Sequence, residues 1–143
     1  MIRVIVLFIF LCNAGAALAA RTVLVFGDSL SAGYGIALEQ SWPALLADKL
    51  AADGLSWKVA NASISGETTA GGRSRLPEAL AHFKPAVVVI ALGANDGLRG
   101  LPVAQMRDNL VAMIRAAQAR KARVLLVGIK LPPNYGKIGR AHV

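Results

Sequence analysis

Thiol and imidazole are nearly missing from this chain of 143 residues, which has one cysteine, Cys12, and two histidines, His82 and His142. A single thiol excludes an internal disulfide, so any fold must be held by its apolar core alone. Acidic residues are also scarce, 8 against 16 basic ones, for a formal charge of +8. The basic residues are nonetheless scattered, at Arg73 and Arg75, Arg115, Arg120, Lys121 and Arg123, and no aromatics interleave with them. That is the pattern of a solvated basic surface, not of a nucleic-acid face. The N-terminal apolar stretch, Val4–Leu11, falls short of the ~20 residues a membrane span needs. It follows Arg3 and precedes Ala17-Leu18-Ala19. A positive start, an apolar middle and a small-x-small end predict a cleaved export signal over residues 1–19, cut after Ala19. Leu11 is too bulky for the small residue that a lipoprotein site wants before Cys12, so no membrane anchor is expected. The mature protein is expected to be periplasmic or extracellular.

What remains alternates in type. Thr22–Phe26 reads as a short buried strand. Trp42–Ala52 reads as a helix, with Ser41 as N-cap, Pro43 in the first turn and Asp53-Gly54 as the stop. Trp57–Ala60 is a second strand. After a loop over Asn61–Thr69 comes a helix centred on Ser74–Phe83, with a break or restart at Pro77, and Ala86–Leu92 is the clearest strand of all. Pro102 opens a long helix whose apolar stripe is Val103, Met106, Leu110, Val111, Ile114 and Ala117. Arg123–Ile129 is a fourth strand. Strand–helix–strand repetition predicts one α/β domain with parallel strands and helices on both faces. A doubly wound domain ordinarily adds a further strand and helix after such a count, so this one is expected to be incomplete at its C-terminus. Residues 20–136 are assigned to the domain. Residues 137–143, with no periodicity, are read as an artefactual tail.

Three polar, glycine-punctuated blocks sit after strands: Gly27-Asp28-Ser29-Leu30-Ser31, Asn61-Ala62-Ser63-Ile64-Ser65-Gly66 and Gly93-Ala94-Asn95-Asp96-Gly97. Open parallel sheets bind ligands at the carboxyl ends of their strands. Ser29 offers a hydroxyl at the start of a helical turn, where developing negative charge is favoured. Gly66 offers a backbone N–H that a ligand can approach closely, and Asn95 a side-chain NH₂. Asp28 is expected to shape its turn by bonding backbone N–H groups, and Asp96 to brace its loop. Each block alone is also an ordinary turn. A phosphate- or flavin-binding loop built on Ser29, Ser31 and Gly33 is the competing reading.

Taken together and in this order, the blocks resemble those of the SGNH, or GDSL-type, hydrolases, in their secreted arylesterase and acyl-CoA thioesterase/lysophospholipase branch. Trp42-Pro-Ala-Leu-Leu46 and Leu131-Pro-Pro-Asn-Tyr-Gly136 extend the likeness. The resemblance implies a flavodoxin-like three-layer α/β/α sandwich. It also implies hydrolysis of aryl, short-chain acyl or lysophospholipid esters and thioesters through an acyl-Ser29 intermediate, with no metal or organic cofactor. Ser29 corresponds to the nucleophile. The N–H groups of Ser29 and Gly66 and the side chain of Asn95 correspond to the oxyanion hole. Leu98, Leu101, Pro133, Asn134 and Tyr135 are expected to lie along the acyl chain. No protein partner is implied, and a non-hydrolytic member of the family is the remaining alternative. The family's Asp-x-x-His pair has no counterpart here: His82 has no aspartate three residues before it, and His142 has Gly139 there. The chain as it stands is therefore expected to turn over esters poorly and to expose an apolar face.

Overall fold

The structure is a computed structural model that describes residues 21–129. The expected leader, the tail, Pro133, Asn134, Tyr135 and His142 lie outside the described residues. Four strands, β1 (Arg21–Gly27), β2 (Trp57–Asn61), β3 (Val87–Ala91) and β4 (Arg123–Leu126), form one parallel sheet in the order β2-β1-β3-β4. The helices are α1 (Ser29–Ala32), α2 (Trp42–Ala52), α3 (Thr69–Phe83), α4 (Ala94–Leu98) and α5 (Val103–Ala119). The α/β class, the parallel sheet and the expected strand sequence are all present.

Strand pleat explains the layers. Leu24 and Phe26 of β1 and Val88 and Ile90 of β3 point to one face, where they meet Leu76 and Leu80 of α3 and Leu110 and Met113 of α5. Val23, Val25 and Val89 point to the other face, the side of α2, which packs beside β2. The register sets Gly27 level with Ala91. The chain turns one way from β1 to β2 and the other way from β3 to β4. The crevice above β1 and β3 is thus the point where strand order reverses, the usual ligand site of such sheets.

Several local expectations are corrected. The helix centred on Ser74–Phe83 begins already at Thr69, the expected end of the preceding loop, and runs through Pro77 without a break. Thr68 caps it by accepting from the Gly71 N–H at 3.4 Å, and buried Leu76, Ala79 and Leu80 hold it to the sheet. Packing outweighs the one backbone bond that Pro77 removes. Ser41 occupies the N-cap of α2, but its hydroxyl donates back to the Leu38 carbonyl at 2.6 Å instead of accepting from the helix. The buried stripe of α5 is Met106, Asn109, Leu110, Met113 and Ala117, whereas Val103 is exposed and Val111 and Ile114 only half-buried. α4, read as a loop from sequence, is a single helical turn, and so is α1, which starts at Ser29 as expected.

Candidate active site

β1 ends on Gly27, where a side chain would have no room: an added Cβ would sit 2.9 Å from Ser31 Cβ and 3.0 Å from the Ala91 carbonyl oxygen. That close approach lets the chain bend straight from the strand into α1. Asp28 is the N-cap, its Oδ1 accepting from the Leu30 N–H at 3.0 Å. This is the turn-shaping role expected of it, and it places half-buried Ser29 at the first position of α1. The same carboxylate fills the turn that a phosphate would need, which disfavours the phosphate or flavin reading. Trp42 Nε1 donates to Ser31 Oγ at 3.2 Å and fastens α2 to the Ser29 turn.

The second block is stitched to the first. Ala62 N–H donates to the Val25 carbonyl at 2.9 Å and Ile64 N–H to the Gly27 carbonyl at 3.0 Å. Asn61 Nδ2 reaches the Ser31 carbonyl at 2.7 Å. Residues 64–67 then close a turn, Glu67 N–H to Ile64 C=O at 3.1 Å, with Gly66 at φ +79°. A side chain at that backbone angle is strained by about 1–2 kcal/mol. The Gly66 carbonyl accepts from Arg99 Nη2 at 2.9 Å. Arg75 grips the loop from behind. Its Nε meets Glu67 Oε2 at 3.1 Å, its Nη1 meets the Ala62 carbonyl at 2.9 Å, and its guanidinium lies 4.2 Å from the Phe26 ring centroid.

Asn95 brings the three loops to one point. Its Nδ2 donates to the Glu67 carbonyl at 2.9 Å and reaches Asp28 Oδ2 at 3.4 Å. It thereby touches the neighbour of Gly66 and the neighbour of Ser29. The second contact is long and weak, so that hydrogen is available to an anion forming beside Ser29. Asp96 braces the loop as expected, its buried carboxylate accepting from the main-chain N–H of Thr69 at 2.8 Å and from the Thr69 hydroxyl.

Burial raises the Asp28 carboxyl above its ordinary value of 3.8, and bonds from the Leu30 N–H and its own N–H pull it partly back. A raised folded value means that Asp28 favours folding while it is protonated and opposes it as pH rises through that value. Asp28→Asn keeps the cap and sheds the buried charge. Its urea midpoint is expected to exceed the wild type's at pH 7, with the difference closing as pH falls below 3.8. A variant less stable than wild type at pH 7 would contradict this.

The other expected residues fall further away. Leu98 ends α4 and is 48% exposed, Leu101 is half-buried, and neither lines the main groove. That groove, about 560 Å³, runs from Asp28, Leu30 and Ser31 across Leu46, Val89 and Leu125. It lies on the α2 side of β3 and β4, and Leu125 on its floor is 56% exposed. The sequence offered no sign of it, because an apolar run such as Val124–Val127 reads as buried on both faces. Thr69, Arg75 and Asn109 were also missed, since none stands in a motif, and Arg99 lies in the third block's extension without its bond to the Gly66 carbonyl being foreseeable. Among the described residues the one imidazole is His82, thirteen residues along α3 from Thr69. At 1.5 Å per residue that is about 20 Å from the carboxyl end of the sheet.

Comparison with known proteins gives a consistent result. Residues 25–142 match the model of the GDSL-like Lipase/Acylhydrolase family. Esterase TesA of Pseudomonas aeruginosa is 58% identical over 118 residues, covering 82% of this chain and 59% of that protein. Thioesterase 1/protease 1/lysophospholipase L1 of Escherichia coli K12 is 45% identical over 131 residues, covering 92% and 61%. The psychrotrophic esterase EstA from Pseudoalteromonas sp., solved inhibited by monoethylphosphonate, superposes with a TM-score of 0.79 at 46% identity, covering 84% of this chain and 66% of that one. The chain therefore spans about three-fifths of the length of these two curated relatives.

Proposed function

The chain belongs to the GDSL-like lipase/acylhydrolase family, and from that membership we propose that it carries the acylating machinery of a serine hydrolase acting on carboxylic esters and thioesters. The observation that carries the reading is the Asn95 amide, held against Glu67 O at 2.9 Å and Asp28 Oδ2 at 3.4 Å, between the Gly66 and Ser29 loops. In this mechanism Ser29 Oγ attacks the acyl carbon while its proton passes to a base. The N–H groups of Ser29 and Gly66 and the Asn95 Nδ2 hold the oxyanion. The alcohol or thiol leaves with a proton, and water hydrolyses the acyl-serine. A hydroxyl attacks slowly without a base, and His82 is far from it, so the base comes from outside the described residues. Aryl and short-chain acyl esters, acyl thioesters and lysophospholipids are the substrates proposed, in keeping with the names of the relatives.

Trapping tests the assignment. The chain is compared with a chimera that adds the C-terminal part of the Pseudomonas aeruginosa relative, each treated with a fluorophosphonate and mapped by peptide mass. The chimera is expected to hydrolyse p-nitrophenyl acetate and to carry one adduct, on Ser29, with Ser29→Ala unlabelled and inactive. An adduct elsewhere, or an active Ser29→Ala chimera, would overturn the proposal.

A further inference from the structure

The Asn95 donor stands on a helix of five residues, α4, whose N-cap position, Gly93, has no side chain to cap it. A single turn of helix does not hold its shape by itself. What fixes it lies on the side away from the crevice. Asp96 is 3% exposed, Thr69 0% and Asn109 5%. Asp96 Oδ2 takes the Thr69 N–H at 2.8 Å, and Asp96 Oδ1 takes the Thr69 hydroxyl hydrogen. Thr69 Oγ1 accepts from Asn109 Nδ2 at 3.2 Å, and Asn109 Oδ1 accepts from Arg73 Nη1 at 3.2 Å. Every hydrogen in this chain has one available direction: a carboxylate can only accept and a guanidinium can only donate. The Thr69 hydroxyl is thereby locked as donor to Asp96 and acceptor from Asn109. The buried charge of Asp96 also sits at the N-terminus of fifteen-residue α3, where the helix dipole favours it.

Two residues before Thr69, the Glu67 carbonyl takes the Asn95 amide at 2.9 Å. Residues 67–69 and 95–96 are thus joined twice, once on the crevice side and once on the buried side. We propose that Thr69, Asp96 and Asn109 are positioning residues, a buried hydrogen-bonded clamp that sets the Asn95 amide and the Gly66 turn at a fixed separation and anchors both to α5. The inference rests on the reading of Asn95 and Gly66 as oxyanion donors and adds what holds them in place. It explains why α5 carries a buried asparagine in an apolar stripe, and why α3 starts with a fully buried threonine.

The test needs no turnover, so it stands apart from the trapping experiment. In the ¹⁵N-labelled 143-residue chain, amide hydrogen exchange of residues 66–69 and the Asn95 Nδ2 proton shifts are compared in wild type, Thr69→Val and Thr69→Ser. Valine has threonine's shape without the hydroxyl. It is expected to speed exchange of the 66–69 amides at least tenfold and to shift the Asn95 Nδ2 protons, with β1 and β3 amides changed less than threefold. Serine restores the hydroxyl and is expected to restore both readouts. If Thr69→Val fails to fold, Asn109→Ala, which cuts the two outer bonds and leaves Thr69 on Asp96, is expected to speed the same loop amides about threefold over the core. No change at the loop, a uniform change at all amides, or serine behaving as valine does would overturn the clamp.

Discussion

Asn95→Ala is expected to lower kcat of the turnover-competent chimera by about 10²–10³-fold, the loss found when one side-chain oxyanion donor is removed. The change should fall on kcat and spare KM, because an amide aimed at a charge that exists only in the transition state contributes little to ground-state binding. Asn95→Ala also frees the Glu67 carbonyl, which the amide holds at 2.9 Å, so loosening of the loop must be separated from loss of the donor. Amide exchange of residues 66–69 does this, since a loosened loop speeds it and loss of the donor alone does not. Asn95→Asp keeps the shape but turns a carboxylate oxygen, which can only accept, toward both the Glu67 carbonyl and the oxyanion, and repulsion should make it at least as slow as alanine. Steady-state hydrolysis of p-nitrophenyl acetate measures both. An Asn95→Ala variant within threefold of wild type would remove this residue from the oxyanion hole.

Phe26→Ala is expected to destabilise the fold by about 3–5 kcal/mol, the usual range for emptying a buried aromatic site. Phe26 is fully buried among Leu24, Leu76 and Met113, and the Arg75 guanidinium lies 4.2 Å from its ring centroid. Domains of this size are stable by only ~5–15 kcal/mol, so the variant should unfold at far lower urea, measured by circular dichroism. Phe26→Leu, which keeps most of the volume, should lose less than about 1.5 kcal/mol. An alanine variant within 1 kcal/mol of wild type would show that the ring is not central to the core. Phe26 is one residue from Gly27 and two from Asp28. The cavity would therefore open beneath the turn that presents Ser29, and activity should fall before the sheet melts.

The sheet was legible because buried parallel strands are continuous apolar runs. Val23–Phe26 and Val87–Leu92 can hardly be anything else. α4 was not, and the extent of α1 was not, since one helical turn is too short to show a period of 3.6. The start of α3 was hidden by Gly71 and Gly72, poor helix formers. Gly72 is tolerated because its surface lies against the core: an added Cβ would sit 2.5 Å from Leu92 Cδ1. Asn109 was lost for the opposite reason, a polar residue in an apolar stripe. The proposed site residues Ser29, Gly66 and Asn95 stand in local blocks and so could be named from the sequence. The clamp behind them joins positions 27 and 40 residues apart, and no pattern of neighbours along the chain encodes it.

Asp28 and Asn95 are 67 positions apart. A ribosome working at roughly 5–20 residues per second needs about 3–13 s to make what lies between them. Through that interval nothing from the third block exists to meet the serine turn. Whatever reactivity the hydroxyl acquires thus switches on late in synthesis, only once β3 has been made and has paired beside β1.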